Sequence, residues 1–356
     1  MGAETSRVQV SVGDIALGRR SLPVGVRPGD VVALDGSDVR WVVERIDEVG
    51  GALHVTVALS WDERGPSSHR STTIVPSTDG VEVAVHDLGG AGHPVMICHA
   101  TGFHGLAYAP FAAALAEHHR VVAVDLRGHG ATNVPSTGDL AWSGMAEDVA
   151  AVLDAMFDVP PFAIGHSMGG ASILMAELER PGSIRAAWLF EPIVFPGPWE
   201  PSPNEQGMAA AAAGRRAEFP TRRAAFERYG ARPPLNELRV DALASYVQHG
   251  FVDGETPTDP VHLACAPATE SATFGTPVKL GLHELDPISM PIRVAAGRPL
   301  GGVGPQAMAV ELAAGVPTAE FSDHPHLGHF GPLEAPDELA ANASAFFADV
   351  QANTPG

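Results

Sequence analysis

Lysine is almost missing from this chain of 356 residues: Lys279 stands alone beside 21 arginines. Cysteine is as scarce, with only Cys98 and Cys265, which excludes a disulfide framework and favours a reducing, cytoplasmic location. No stretch approaches the roughly 18 uninterrupted apolar residues of a membrane span. Met1 to Arg20 has no basic start followed by an apolar run, so a secretory signal is not expected either. Positive charge is in deficit, the net being -20, which argues against nucleic acid or an anionic membrane as partner. What is present, 45% apolar and 18% charged residues, describes a soluble globule with a large core plus an appended or inserted piece.

The most informative stretch is Pro161 to Ala171, Pro-Phe-Ala-Ile-Gly-His-Ser-Met-Gly-Gly-Ala. Phe162 to Ile164 is a short apolar run suited to a buried parallel strand, and Ser172 to Arg180 reads as helix, with Ser167 in the tight turn between. Gly165-His166-Ser167-Met168-Gly169 thus matches Gly-x-Ser-x-Gly between strand and helix. A side chain at either glycine would crowd its neighbours, while the serine hydroxyl stands exposed above the sheet edge. The helix start offers the Met168 amide to a developing oxyanion. The bland alternative is a turn whose serine merely caps the helix.

Residues 1–66 alternate Val-rich runs (Val8–Val12, Val31–Leu34, Val39–Arg45, Leu53–Leu59) with turn residues, which predicts a small antiparallel barrel or sandwich. It carries no catalytic cluster; packing, partner binding and homo-oligomer formation are its open roles. Asp62–Ser68 reads as a linker. Thr72–Val75 and Val81–Val85 form a hairpin, after which strands alternate with helices, the mark of an α/β fold on a mostly parallel sheet. The strands are expected at Pro94–His99, Val121–Asp125, the run into Ser167, Arg185–Val194, Ile292–Ala296 and Ala319–Ser322. Helices are expected at Leu106–Leu115, from a Ser143 cap to Met156, and at Glu338–Phe347. Residues 67–194 and 289–356 therefore form the core, and 195–288, rich in Ala, Pro and Arg without that alternation, an inserted helical lid with helices at Met208–Ala213, Arg222–Tyr229 and Leu235–Val247.

A serine hydroxyl needs a base, and His329 after the last strand fits that need. Four separated motifs, the Ser167 turn, Asp125-Leu126-Arg127-Gly128-His129-Gly130, His99-Ala100-Thr101-Gly102-Phe103 and the segment around His329, occur in the order of the α/β-hydrolase superfamily, which the chain resembles from about residue 70 to 350. The resemblance implies that the turn after His99 supplies a second oxyanion amide, assigned to Thr101, with Phe103 next. Most relatives place an acid after the strand read here as Ile292–Ala296, but this chain continues Gly297-Arg298-Pro299. Some branches, including part of the haloalkane dehalogenases, place it after the strand that follows the nucleophile. That position is Glu191, which keeps the order Ser167, Glu191, His329. Its bland alternative is a salt bridge at a hinge.

The expectation is a serine hydrolase free of cofactor and metal, acting through an acyl-enzyme on an ester, thioester or lactone of a partly apolar small molecule. Phe103, His166 and His104 flank the site as substrate-binding candidates, and Met208, Phe226, Tyr229, Tyr246, Phe251 and Phe274 are available in the lid. Seven arginines between Arg215 and Arg239, against three glutamates, read as a solvated helix face or as a lining for an acidic group on the substrate. Carbon–carbon bond hydrolysis of a diketone, or a non-catalytic binding protein on the same fold, are the alternatives. Asp323-His324-Pro325-His326-Leu327-Gly328-His329 approaches a metal-binding run, but Gly328 stands where the acidic ligand belongs. Gly301-Gly302-Val303-Gly304 lacks the Lys-Ser/Thr of a phosphate loop, Asn342-Ala343-Ser344 falls in an expected helix, and Cys98 reads as core.

Overall fold

Alternating valines in the N-terminal region make five strands, β1 (Thr5–Val12), β2 (Ile15–Pro23), β3 (Val31–Ala33), β4 (Arg40–Val49) and β5 (Ala52–Ser60), in the order β2-β1-β5-β4-β3. The computed structural model describes residues 5–12, 15–34, 39–49, 52–60, 71–197, 203–256, 258–276 and 279–353; the expected linker Asp62–Ser68 and the tail Thr354–Gly356 lie outside the described residues. The N-terminal sheet is not wholly antiparallel as expected. β1 and β5 are brought together by the intervening strands instead of a hairpin, and they pair in parallel, Gln9 opposite His54.

The second sheet begins with the antiparallel hairpin β6 (Thr72–Pro76) and β7 (Glu82–Gly89). Then come β8 (His93–Cys98), α1 (Ala109–Leu115), β9 (His119–Val124), α2 (Trp142–Met156), β10 (Phe162–His166), α3 (Met168–Glu179) and β11 (Ala186–Phe190). Helix α2 starts one residue before the expected Ser143 cap; Ala141 holds the N-cap position and makes no side-chain hydrogen bond there. After β11 the chain leaves the sheet. It forms α4 (Pro203–Ala213), β12 (Glu218–Phe219), α5 (Arg222–Gly230), α6 (Val240–His249), β13 (Phe251–Val252), β14 (Val261–Leu263) and α7 (Pro267–Phe274). The two ends of this excursion are pinned together, Phe195 N–H donating to Leu280 O at 2.9 Å and Leu282 N–H to Phe195 O at 2.7 Å. The chain re-enters through β15 (Ile292–Ala296), α8 (Pro305–Gly315), β16 (Ala319–Asp323), α9 (Gly331–Glu334) and α10 (Pro336–Asn353).

The strand order is β16-β15-β11-β10-β8-β9-β7-β6, parallel from β9 to β16. Both faces of the central strands are covered, which is why β10 and β11 are buried at every residue, β11 being apolar throughout and β10 up to Gly165 and His166. On one side Phe162 packs with Phe111 of α1 and Phe347 of α10; on the other, Val149 of α2, Ile173 of α3 and Leu312 of α8 close the second layer. Each such side chain contributes about 1.5–3 kcal/mol through burial. The N-terminal sheet docks on the excursion: its core, with Val10, Trp41 and Val57, includes Ala244 of α6. Buried Arg20 bonds Asp337 of α10 at 3.1 Å, and Arg239 bonds the same carboxylate at 2.9 Å and Asp241 at 2.7 Å.

Candidate functional site

β10 delivers Ser167 into a turn that only a constrained backbone can make. Ser167 has φ 55°, ψ -120°, in the left-handed half of conformational space that side chains avoid. The turn survives because its neighbours are glycine. A Cβ on Gly165 would lie 2.5 Å from Gly170 Cα, and one on Gly169 would lie 2.3 Å from Cys98 O, both closer than atoms can approach. Met168 is the first residue of α3, so its N–H has no intrahelical acceptor and is available to a ligand.

Glu191 follows β11 and also has positive φ, 42°. Among the described residues only Asp79, Ser167 and Glu191 are non-glycine residues in that region. Its carboxylate, buried to 3% exposure, bridges two loops: Oε2 accepts from His329 Nδ1 at 2.6 Å and Oε1 from Gly297 N–H at 2.8 Å. Gly297 is the position after β15 where the sequence has no acid, and a side chain has no room there: a Cβ would lie 2.6 Å from Leu327 O. The site thus takes its carboxylate from β11 and only an N–H from β15. With Nδ1–H held by Glu191, His329 keeps its Nε2 lone pair free to accept a proton. The loop carrying it is laced by Glu334, which accepts from Gly328 N–H at 2.8 Å and Phe330 N–H at 3.1 Å.

Ser167, His329, Thr101 and Phe103 line one cavity of about 650 Å³. The Ser167 hydroxyl and the His329 imidazole share its wall without a direct hydrogen bond among the described residues. Thr101 Oγ1–H donates to Met168 Sδ at 3.2 Å, tying the loop after β8 to the start of α3. His166 and His104, grouped with Phe103 on the sequence as substrate-binding, are set behind the cavity wall. Strand β10 is buried on both faces, so His166 points into the core, where burial and nearby His329 hold it neutral, well below the usual histidine range. Neutral His166 closes a chain: Ala100 N–H donates to Tyr108 Oη at 3.2 Å, Tyr108 O–H to His166 Nδ1 at 2.7 Å, and His166 Nε2–H to His329 O at 2.7 Å. It thereby links the loop after β8 to the loop bearing His329. His104, also depressed by burial, stacks on Tyr246 and bonds Tyr246 O at 3.1 Å.

The Asp125–Gly130 motif braces the loop after β8 from below. Asp125 accepts from Gly105 N–H at 2.6 Å, Ala131 N–H at 2.8 Å and His86 at 2.9 Å. Burial opposes its charge, but His86, hydrogen-bonded to it, prevails and holds the carboxyl below its usual range. His99 accepts from Leu126 N–H at 3.0 Å and donates to Ala100 O at 2.8 Å; burial, with His129 beside it, lowers its pKa to about 3. The histidine run before His329 does not converge on one point. His324 and His326 both bond Glu338, at 2.9 and 3.0 Å, while His329 faces Glu191.

The excursion roofs the cavity. Of its six aromatic and Met candidates, Met208, Tyr229, Tyr246 and Phe274 reach the wall, whereas Phe251 packs on Phe219 and Phe226 lies among apolar core residues. The arginines divide. Arg222 pairs with Asp253, and Arg239 with Asp241 and Asp337, whereas Arg215, Arg216, Arg228 and Arg232 line the cavity. Trp142, Glu270 and Lys279 also reach it and were missed on the sequence, because they are distant from every motif. No helix among the described residues is long and apolar enough to cross a membrane.

Comparison with known proteins supports this architecture. The chain is 40% identical over 127 residues to protein phosphatase methylesterase 1 of Mus musculus, a match covering 30% of this chain and 33% of that protein. It is 32% identical over 109 residues to 2-hydroxy-6-oxo-2,4-heptadienoate hydrolase of Pseudomonas putida, covering 30% of this chain and 39% of that protein. The chain thus spans about a third of the length of the curated relatives it matches. The crystal structure of E-2-(acetamidomethylene)succinate hydrolase superposes with a TM-score of 0.64 over 79% of this chain and 100% of that one at 18% identity, a likeness of fold. The family model of the alpha/beta hydrolase family matches residues 83–342, well over half of the chain, and the protein belongs to that family.

Proposed function

We propose that the protein is a serine hydrolase that cleaves an ester, thioester or lactone of a partly apolar small molecule through an acyl-enzyme. The observation that carries this reading is the hydrogen bond of His329 Nδ1 to Glu191 on the wall of the cavity that also holds Ser167 at its strained turn. His329 Nε2 takes the Ser167 proton as Oγ adds to the substrate carbonyl carbon and the carbonyl electron pair moves onto oxygen. The N–H groups of Met168 and Thr101 receive that oxyanion, each such donor contributing about 3 kcal/mol to the transition state. Collapse expels the alcohol or thiol with the proton from His329. Water, deprotonated by His329, then releases the acid and restores Ser167. Glu191 holds the imidazole tautomer and stabilises the imidazolium. The excursion from 195 to 288 serves as a lid, and its Phe195 and Met208, with Trp142 of α2, give the cavity an apolar wall.

The relative from Mus musculus is named as a methylesterase, which supports ester cleavage here. The relative from Pseudomonas putida, named as a hydrolase of an oxo-dienoate, supports carbon–carbon hydrolysis by the same residues as the second reading. Turnover of p-nitrophenyl esters of graded chain length tests the first: wild-type protein releases p-nitrophenol catalytically and Ser167→Ala does not. Equal rates for the two proteins would refute it.

A further inference from the structure

The chain carries a net charge of -20, yet its cavity wall holds five cations, Arg215, Arg216, Arg228, Arg232 and Lys279, against one carboxylate, Glu270. Lys279 is buried, Arg215 and Arg228 are half-buried, and Arg216 and Arg232 are exposed where the cavity meets solvent. Helix α5 turns Arg223 and Glu227 outward, away from the cavity, while Arg228 on the same helix lines it.

The five cations differ in what they already bind. Arg215 pairs with Glu270 and donates to Tyr246 Oη at 2.7 Å, so its charge is neutralised locally. Arg216 lies over the Phe219 ring and donates to Glu218 O at 2.7 Å. Lys279 donates to Phe274 O at 3.0 Å and sits 5.2 Å above the Trp142 ring. Arg228 and Arg232 have no ion-pair partner among the described residues and are the two guanidinium groups on the wall left to a ligand.

We infer that the substrate carries an oxyanionic group, carboxylate or phosphate, away from the bond that is cleaved, and that Arg228 and Arg232 bind it. The inference rests on the hydrolase reading and deepens it by naming the substrate class. A planar guanidinium presents paired donors that match the two oxygens of a carboxylate or phosphate, which a lysine ammonium does not. The apolar wall takes the intervening hydrocarbon. The protein's overall negative field repels anions, so a preference for an anionic substrate has to arise from these local cations.

Matched p-nitrophenyl esters of one acyl length, ending in methyl, carboxylate or phosphate, provide the test. The readout is the ratio of kcat/KM for each anionic ester to that for the neutral one. A charge-assisted pair predicts a ratio of about ten to a hundred in wild-type protein. The ratio falls as salt is raised, since Arg232 is exposed to solvent. Arg228→Gln and Arg232→Gln each lower the ratio about tenfold or more, and Arg223→Gln, outside the cavity, does not. Whichever anionic ester shows the higher ratio identifies the group. A wild-type ratio at or below one, or an equal fall in Arg223→Gln, overturns the inference while leaving the hydrolase reading intact. Absence of turnover on all three esters, with Ser167 inert to a fluorophosphonate, would instead remove the hydrolase reading. Calorimetry on Ser167→Ala then decides the inference separately: adipate or butyl phosphate must bind, and bind at least tenfold more weakly when Arg228 is also Gln; binding of neither overturns it.

Discussion

Replacing Glu191 with glutamine keeps the volume of the side chain but not its pattern of acceptors. The carboxylate accepts two hydrogen bonds, from His329 Nδ1 at 2.6 Å and from Gly297 N–H at 2.8 Å. A glutamine has one acceptor and one donor group to meet two donors. If its oxygen faces Gly297, its NH2 faces the imidazole, which must then carry its proton on Nε2 and cannot accept one from Ser167. If its NH2 faces Gly297, two donors collide in a buried site, costing about 1–3 kcal/mol. Either arrangement also removes the negative charge that stabilises the imidazolium. A triad locked in the wrong tautomer loses up to about ten-thousand-fold in kcat, equivalent to about 5.5 kcal/mol. His329 is 29% exposed at its side chain, so water can recover part of that, and the expected loss in kcat is between about a hundredfold and ten-thousandfold. The assay is p-nitrophenyl ester hydrolysis by wild-type and Glu191→Gln protein, with thermal unfolding of both to establish that the variant is folded. Turnover by folded Glu191→Gln within threefold of wild type would refute the role assigned to Glu191.

Gly169→Ala tests the packing of the Ser167 turn. Its Cβ would meet Cys98 O at 2.3 Å and His99 O at 2.6 Å, backbone atoms that cannot swing aside, so the variant should lose about 1–3 kcal/mol in urea unfolding along with the proposed ester hydrolysis. Acid should destabilise the protein from about pH 6.5 downward through its buried histidines. His99 and His129 fall from 6.5 to about 3 and about 4 through burial, so between pH 6.5 and 4 the unfolded chain binds protons that the native state refuses. Stability is lost as pH falls through that window, by about 3 kcal/mol for each group at pH 4. Glu177, Glu179, Glu270 and Glu334, raised by burial, act in the opposite sense. A Tm that stays level from pH 7 to 4.5 would contradict the buried neutral assignment.

How much could be read in advance depended on sequence distance. The Ser167 turn was legible because strand, glycines, serine and helix are contiguous, and Gly165 and Gly169 are each explained by a contact within that unit or with the end of β8. Glu191 was legible through a missing acid: Gly297 leaves no room for a side chain, and the carboxylate enters from the adjacent strand. Strand β2 was missed. It contains Gly18, Arg19 and Arg20, and buried Arg20 is received by Asp337 and Asp241, both far along the chain. The small sheet of β12, β14 and β13 has strands of two or three residues, too short for any alternation to register. The arginine island could not be divided from local pattern either, since the partner of Arg215 lies 55 residues away and one partner of Arg239 lies 98 away.

The central claim is that Ser167 is a hydroxyl made nucleophilic by His329. Incubation of the folded protein with a fluorophosphonate, followed by mass analysis of the peptide spanning Pro161 to Arg180, measures it directly. The account predicts a stoichiometric adduct on Ser167, none on Ser167→Ala protein, and labelling slowed at least a hundredfold in His329→Ala. An unlabelled Ser167 in folded wild-type protein, or labelling that proceeds equally fast without His329, would contradict it.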